Sequence, residues 1–157
     1  MAIYFYQLDK PYGSFSNFSA HGFWLQRHYW PTAEHYYQAQ KFVGTSLASL
    51  SQVIRQAATP TDAARMGRDP RNLLRPDWEH IKQEVMWTAL QAKFSAHPDL
   101  QILLLSTGDE WIVEDSPVDA YWGRGPDGQG KNYLGRLLMQ LRQHLRQEQV
   151  CSRLPHG

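Results

Sequence analysis

The sequence predicts an α+β fold, predominantly helical with a few short β-strands, in a single domain over residues 1–157. Three observations lead there. Six stretches carry helical periodicity between caps and breakers, and the β-rich runs are short and end at proline or glycine. No repeat, low-complexity tract or linker-like stretch divides the chain.

In chain order, Ile3-Tyr-Phe-Tyr6 is a β-rich run closed by the turn signal Pro11-Tyr12-Gly13. Residues 23–30 (FWLQRHYW) read as a strand, or as a hairpin bent near Gln26 and Arg27, ended by Pro31. Thr32 offers an N-cap to a helix from Ala33 to Val43, which Gly44 stops. Two further helices are expected over about 46–58 and 60–67, the second opened by Thr59-Pro60. Residues 65–77 form an Arg-rich loop broken by Gly67, Pro70 and Pro76. Asp77 then caps a long helix, Trp78 to Ala96, with an apolar stripe of Trp78, Ile81, Val85, Ala89 and Phe94. Pro98 starts a short helix through Leu105, Trp111–Glu114 is a strand, and Asn132 caps a final amphipathic helix to about Glu148.

Composition bounds the function. The 16 Lys and Arg nearly cancel the 15 Asp and Glu, leaving +1, which argues against a groove for long nucleic acid. A chain of this size buries roughly two-thirds of its unfolded surface and needs no metal or disulfide to hold a core. The single cysteine, Cys151, can make neither an internal disulfide nor a thiolate zinc site, so a reducing, cytoplasmic setting is expected, with no metal and no cofactor. The amino terminus lacks the basic head and apolar core of a signal peptide, and no run approaches the ~20 apolar residues that span a bilayer. The many aromatics (6 Phe, 8 Tyr, 6 Trp) can fill a core and also build pockets for flat ligands.

Four features carry chemistry. On a helical wheel of 33–43, Glu34, Gln38 and Lys41 stack on one side with Tyr37 beside them, opposite Tyr36, Ala39, Phe42 and Val43. That stripe is either a solvated face whose charges suit the helix dipole, or the wall of a cleft with Glu34 as general base or cation stabiliser and Lys41 as its electrophilic or nucleophilic partner. Gly123, Gly125 and Gly128 satisfy G-x-G-x-x-G, but only helix follows, so no dinucleotide-binding unit can form. What survives is either a set of backbone N–H groups at a helix start, with Lys131 beside them, fit for an anion, or a merely flexible loop. Arg65, Arg68, Arg71 and Arg75 make a basic segment fit for a phosphate, unless it pairs with the acidic segment 109–119. Lys93 lies on or near the apolar stripe of the long helix, either snorkelling to water or buried as a tuned amine.

Several blocks together resemble one family. The runs Tyr12-Gly-x-Phe-Ser-Asn-Phe18, Trp30-Pro-Thr-x-Glu-His-Tyr-Tyr-Gln-Ala-Gln-Lys-Phe42, Ala64-Arg-Met-Gly-Arg68, Ala92-Lys-Phe94, and Asp119-x-Tyr-Trp-Gly-x-Gly125 leading to Gly130-Lys-Asn-x-Leu-Gly135 are similar to those of the NADAR superfamily, the YbiA-like proteins, in order over about residues 4–146. The resemblance implies a YbiA-like fold and an N-glycosidase. Its substrates would be early riboflavin intermediates, a diamino-ribosylamino-pyrimidinone 5′-phosphate and its deaminated uracil counterpart, cut between base and ribose 5-phosphate as metabolite damage control. It places Glu34 in a functional block and favours that reading of the stripe. It implies that Ser16, Asn17 and Phe18 form the pocket, that Trp122, beside Gly123, stacks near the ligand, and that Asn132 makes a polar contact. Lys41 and Lys93 also stand in matched blocks.

Cleavage of a base from ribose passes through an oxocarbenium-like sugar. Glu34 is expected to stabilise that cation or activate the water, with Asp119 the reserve carboxylate. A lysine, Lys41 before Lys93, could instead capture the opened sugar as a Schiff base. The phosphate goes to Arg65 and Arg68, and activity should survive chelation. The partner is thus a small ribosyl or nucleotide-like molecule, with no membrane. Two other functions compete. One is a hydrolase removing ADP-ribose from guanine, for which a nucleic-acid end could enter. The other is a non-catalytic module that senses NAD or ADP-ribose and would bind without releasing base.

Overall fold

A computed structural model describes residues 1–153 and arranges them in the order β1 (Ala2–Phe5), β2 (Phe23–Leu25), β3 (His28–Trp30), α1 (Ala33–Gln40), α2 (Ala48–Arg55), α3 (Pro60–Arg68), α4 (Trp78–Ala96), α5 (Pro98–Ser106), β4 (Trp111–Glu114) and α6 (Tyr133–Arg153). The α+β reading holds: six helices accompany two two-stranded sheets. Contacts among the described residues group into two compact units, one of residues 1–16 with 97–153 and one of residues 17–96. Among the described residues no helix is long and apolar enough to cross a membrane.

The unit of residues 17–96 is built around α1. The hairpin bends at the expected place, because Gln26 and Arg27 both take positive φ (54° and 69°) and set Phe23 opposite Trp30. Thr32 caps α1, its hydroxyl accepting from the His35 N–H at 3.1 Å. Every residue of α1 is buried, so no face of it is left to solvent. Its apolar side, Ala33, Tyr36, Ala39 and then Phe42, packs with Phe23, Trp30, Ile54, Ala63 and Ala89. His35, at the edge of that stripe, donates from Nε2 to the Ala57 carbonyl, and burial lowers its pKa.

Some boundaries moved. The first helix ends at Gln40, with Lys41 as C-cap and a turn running to Gly44 (φ 76°), and the second covers only Ala48–Arg55. Helix α3, capped by the Thr59 hydroxyl and started by Pro60, continues through Arg68, so the first four residues of the expected Arg-rich loop are helical. In α4, Ile81 and Val85 are only half-buried, while Met86, Leu90 and Lys93 join Trp78, Ala89 and Phe94 inside.

In the other unit β1 and β4 pair in parallel, Ile3 against Ile112, over a crossover that spans most of the chain. Phe5 meets Phe15 edge-to-face at 5.9 Å, and α5 and α6 supply Leu100, Leu104, Leu134, Leu138, Leu141 and Leu145 to the buried set. Arg142 is buried there, held by the Thr107 hydroxyl and the Glu110 carbonyl. Helix α6 runs to Arg153, five residues past the expected end.

Candidate active site

The stripe of α1 is the candidate site. Glu34, Gln38 and Lys41 share one face of the helix by spacing, and all three are buried, at 4%, 1% and 8% exposure. The solvated-face reading is therefore overturned, because α3 and α4 pack against α1 and cover the side that the charges occupy. A carboxylate and an ammonium removed from water need partners. The Gln38 side-chain N–H donates to Glu34 Oε1 at 2.7 Å, and the Arg68 guanidinium stands 3.8 Å from the same oxygen. The Lys41 ammonium donates to the Gly67 carbonyl at 3.2 Å and lies 5.6 Å from the centre of the Tyr37 ring and 5.9 Å from that of Trp78. Burial lowers its pKa to about 8, against the pull of the Glu34 charge, which raises it.

Gly67 makes this packing possible. A Cβ there would fall 2.0 Å from Gln38 Oε1, so only a bare Cα lets α3 approach α1 closely enough for the Gly67 carbonyl to reach Lys41. Gln38 Oε1 itself is buried with no hydrogen-bond partner, its amide turned so that the N–H faces Glu34. Asn17 closes the other end: its carbonyl accepts the Glu34 backbone N–H at 3.0 Å, its side-chain N–H donates to the Met86 sulfur, and its Oδ1 is buried without a partner. Phe18 beside it is half-buried.

A cleft of about 520 Å³ opens at the Lys41 end of this face, lined by Lys41, Gly67, Arg68, Asp69, Pro70, Asn72, Leu73 and Leu74, with Glu34 and Gln38 outside its wall. Of the four arginines, Arg68 alone lines it. Arg65 is exposed and pairs with Asp62, Arg71 is exposed and pairs with Asp69, and Arg75 pairs with Asp77. Lys93, which the sequence leaves between water and core, is fully buried, and desolvation lowers its pKa to about 7, so it does not snorkel.

The glycine loop belongs to the other unit, as does Ser16, which is buried. Neither of its two readings survives. The N–H groups of Lys131, Asn132, Tyr133 and Leu134 donate to the carbonyls of Ala120, Gly123, Tyr121 and Trp122, and Gly128 and Gly130 donate to Gly125 and Arg124. The donors at the start of α6 are thus spent on the loop itself, which pins it and leaves no nest for an anion. Lys131 is exposed and Gly123 buried. Asp119 is a turn-former here, its Oδ1 accepting from the N–H of Tyr121 and of Trp122 at 2.9 and 2.8 Å. The Trp122 ring is buried edge-to-face on Tyr121. Asn132, at φ 52°, precedes α6, but its side chain does not cap the helix. Its Oδ1 accepts the Glu114 N–H and its Nδ2 donates to the Ile112 carbonyl, both at 2.9 Å, clamping β4.

A sequence model of the NADAR domain matches residues 4–146. The chain belongs to the NADAR domain family. An N-glycosidase of Nostoc punctiforme is 50% identical over 146 residues, 93% of this chain and 94% of that one. The N-glycosidase YbiA of Escherichia coli is 48% identical over 143 residues, 91% of this chain and 88% of that one. The NMR structure of Escherichia coli YbiA superposes with a TM-score of 0.89 at 46% identity, covering 99% of this chain and 91% of that one. The chloroplastic riboflavin biosynthesis protein PYRR of Zea mays, a much longer chain of which the match covers 25%, is 46% identical over 155 residues.

Within this NADAR domain, the sequence places Gln38 on the stripe without a task, and it gives Gly67, Tyr37 and Trp78 no part in the site. Gln38 had a signal in the i, i+4 spacing from Glu34. Gly67 stood in a matched block, while Trp78 reads from sequence only as a core ring, because its approach to Lys41 comes from α4 packing on α1.

Proposed function

We propose that this chain is an N-glycosidase that hydrolyses the bond between a base and ribose 5-phosphate, and that its substrates are early intermediates of riboflavin biosynthesis. The observation that carries the proposal is the Glu34 carboxylate, buried on α1, fixed by Gln38 and set beside the Lys41 and Arg68 cations of an open cleft. The family and the names of its N-glycosidase members support the reaction class. The riboflavin biosynthesis protein of maize supports the substrate class.

In such a reaction the C–N bond breaks with its electron pair leaving on the base, water adds its hydroxyl to the anomeric carbon, and the proton ends on the base nitrogen. The sugar passes through an oxocarbenium-like cation, which a fixed carboxylate in a dry setting stabilises far better than a mobile, hydrated one. Glu34 has that setting. Its Oε1 is an acceptor for Gln38, so the carboxylate does not have to reorganise when charge develops. Arg68, largely exposed yet 3.8 Å from Glu34, and Lys41 line the same cleft, and they rather than Arg65 are the groups for the substrate phosphate. Lys41 rests as a cation between two rings and a carbonyl, which suits this task better than the nucleophilic one.

The decisive experiment incubates the purified chain with the ribosylamino-pyrimidine phosphate and follows release of free base and ribose 5-phosphate. Glu34→Gln should lower turnover by ~10²-fold or more with the fold intact. A variant turning over at the wild-type rate would remove Glu34 from the mechanism, and release of ADP-ribose from ADP-ribosylated guanosine alone would shift the substrate.

A further inference from the structure

We propose a second ligand site on another face of α1, a groove that takes a small heterocycle bearing a lactam-type edge and one anionic group. The groove, of about 330 Å³, runs between the β2–β3 hairpin, the C-terminal end of α1 and helix α2, and is lined by Gln26, His28, Trp30, Gln40, Gln52 and Arg55 among others. Six residues at about 100° each put Gln40 about 120° around the helix from Glu34, so this groove and the cleft at Lys41 and Arg68 are separate. Their lining residues do not overlap.

Two side chains point to an occupant. Gln40 is 93% removed from solvent, its exposure being 7%, yet its amide has no hydrogen-bond partner among the described residues and it lines the groove. The amide reaches the groove with no protein partner for either its N–H or its C=O, and a ligand edge with adjacent N–H and C=O groups supplies both. Arg55, at the end of α2, likewise lines the groove with no acidic or hydrogen-bonding partner among the described residues, although each arginine on α3 and the following turn has a carboxylate. Its planar fork matches a phosphate or carboxylate. The remaining groups are fixed. Gln26 is held by the Tyr36 hydroxyl, Ser51 by the Ala39 carbonyl and the Trp30 indole by the Leu25 carbonyl, while the exposed His28 ring stands edge-to-face to Trp30. The wall is thus built, and the two groups without a protein partner line it.

Size selects the class. Ligand clefts run to about 300–1,000 Å³, and this one lies at the small end, room for a heterocycle with a short anionic arm, as in a mononucleotide, and not for a dinucleotide. The inference does not depend on the reaction proposed above.

The probe is uridine 5′-monophosphate, with ribose 5-phosphate and inorganic phosphate as controls, titrated into the full chain carrying Glu34→Gln so that nothing is turned over. Two-dimensional amide NMR should show shifts in residues 48–55 and in the Gln40 side-chain amide, saturable with uridine 5′-monophosphate and at least tenfold weaker with either control. Arg55→Gln, at a partially exposed position without partners, should weaken binding by about tenfold or more, as removal of a charge-assisted contact does. Gln40→Leu, where it folds, should do the same. Shifts confined to Lys41 and Arg68, equal affinity for inorganic phosphate, or an Arg55→Gln affinity equal to the parent would each overturn the site.

Discussion

Gln38 and Glu34, one turn apart on a helix with no exposed face, are joined by a 2.7 Å hydrogen bond in which the amide donates to the carboxylate. The pair turns a flexible acid into a fixed one. Gln38→Ala should therefore lower kcat by about ten- to a hundredfold, the cost of losing one buried bond to a charged group, with KM nearly unchanged. Gln38→Glu, which keeps the shape but adds a like charge, should be no better than alanine. Steady-state kinetics separate the two parameters, and a rise in KM with kcat intact would make Gln38 a substrate contact instead of a positioning residue.

Lys41 supplies a pH dependence. Its pKa, about 8 through burial, means the amine is a cation at neutral pH and loses its proton as pH rises through 8. A cation that seats a phosphate is then lost, so kcat/KM should fall above pH 8, and Lys41→Met should abolish that limb. Borohydride with substrate should trap no adduct. An activity that climbs through pH 8, with a trapped lysine, would establish the Schiff-base route.

Lys93 poses the opposite problem, a buried ammonium with a pKa of about 7 in the fold against 10.5 in the unfolded chain. Below pH 7 both states are protonated and the burial penalty is complete. Between 7 and 10.5 the unfolded chain binds more protons, so this residue's contribution to stability rises with pH. Lys93→Met should raise Tm, and by more at pH 6 than at pH 9. Calorimetry at the two pH values checks it, and a variant less stable at both would mean that Lys93 is held by contacts worth more than its desolvation costs.

What the sequence reveals depends on how local the cause is. The hairpin at Gln26–Arg27, the Thr32 and Thr59 caps, helix α4 and strand β4 were legible because turn chemistry, caps and breakers act over a few residues. The environment of the Glu34 stripe was not. On a wheel a buried polar face and a solvated one look alike, and only the packing of α3 and α4 on α1 distinguishes them. The glycine loop misled for a related reason: glycines advertise free N–H groups, but whether those groups are spent is a tertiary fact, here settled by the pairing of residues 131–134 with 120–123.

Gly67 links the two halves of the site in one backbone position. A methyl there would fall 2.0 Å from Gln38 Oε1 and 2.8 Å from Gln38 Cβ, so Gly67→Ala must push α3 off α1 or displace Gln38. Overpacking of this kind costs about 1–3 kcal/mol. The expected variant is folded, less stable in urea, and lowered in kcat at least as far as Gln38→Ala, since Glu34 loses its donor and Lys41 its carbonyl together. Combining Gly67→Ala with Gln38→Ala should cost less activity than the product of the single effects. Independent effects would mean that the two residues do not act on the carboxylate through one another.

Asn132 separates a structural role from a ligand-binding one. Its amide donates to Ile112 and accepts from Glu114, and Gly135 lets α6 approach so closely that a Cβ would fall 2.1 Å from the Ile112 carbonyl. Asn132→Ala removes both bonds, leaves two backbone groups of β4 unmatched and puts alanine at a left-handed φ of 52°. The loss should be about 2–4 kcal/mol. Asn132→Gly loses the same bonds without the conformational penalty and should be the milder of the two. Both variants should bind substrate with near wild-type KM at low temperature, where they are folded. Wild-type urea midpoints together with a raised KM would show instead that the amide reads the ligand and that the clamp on β4 is incidental.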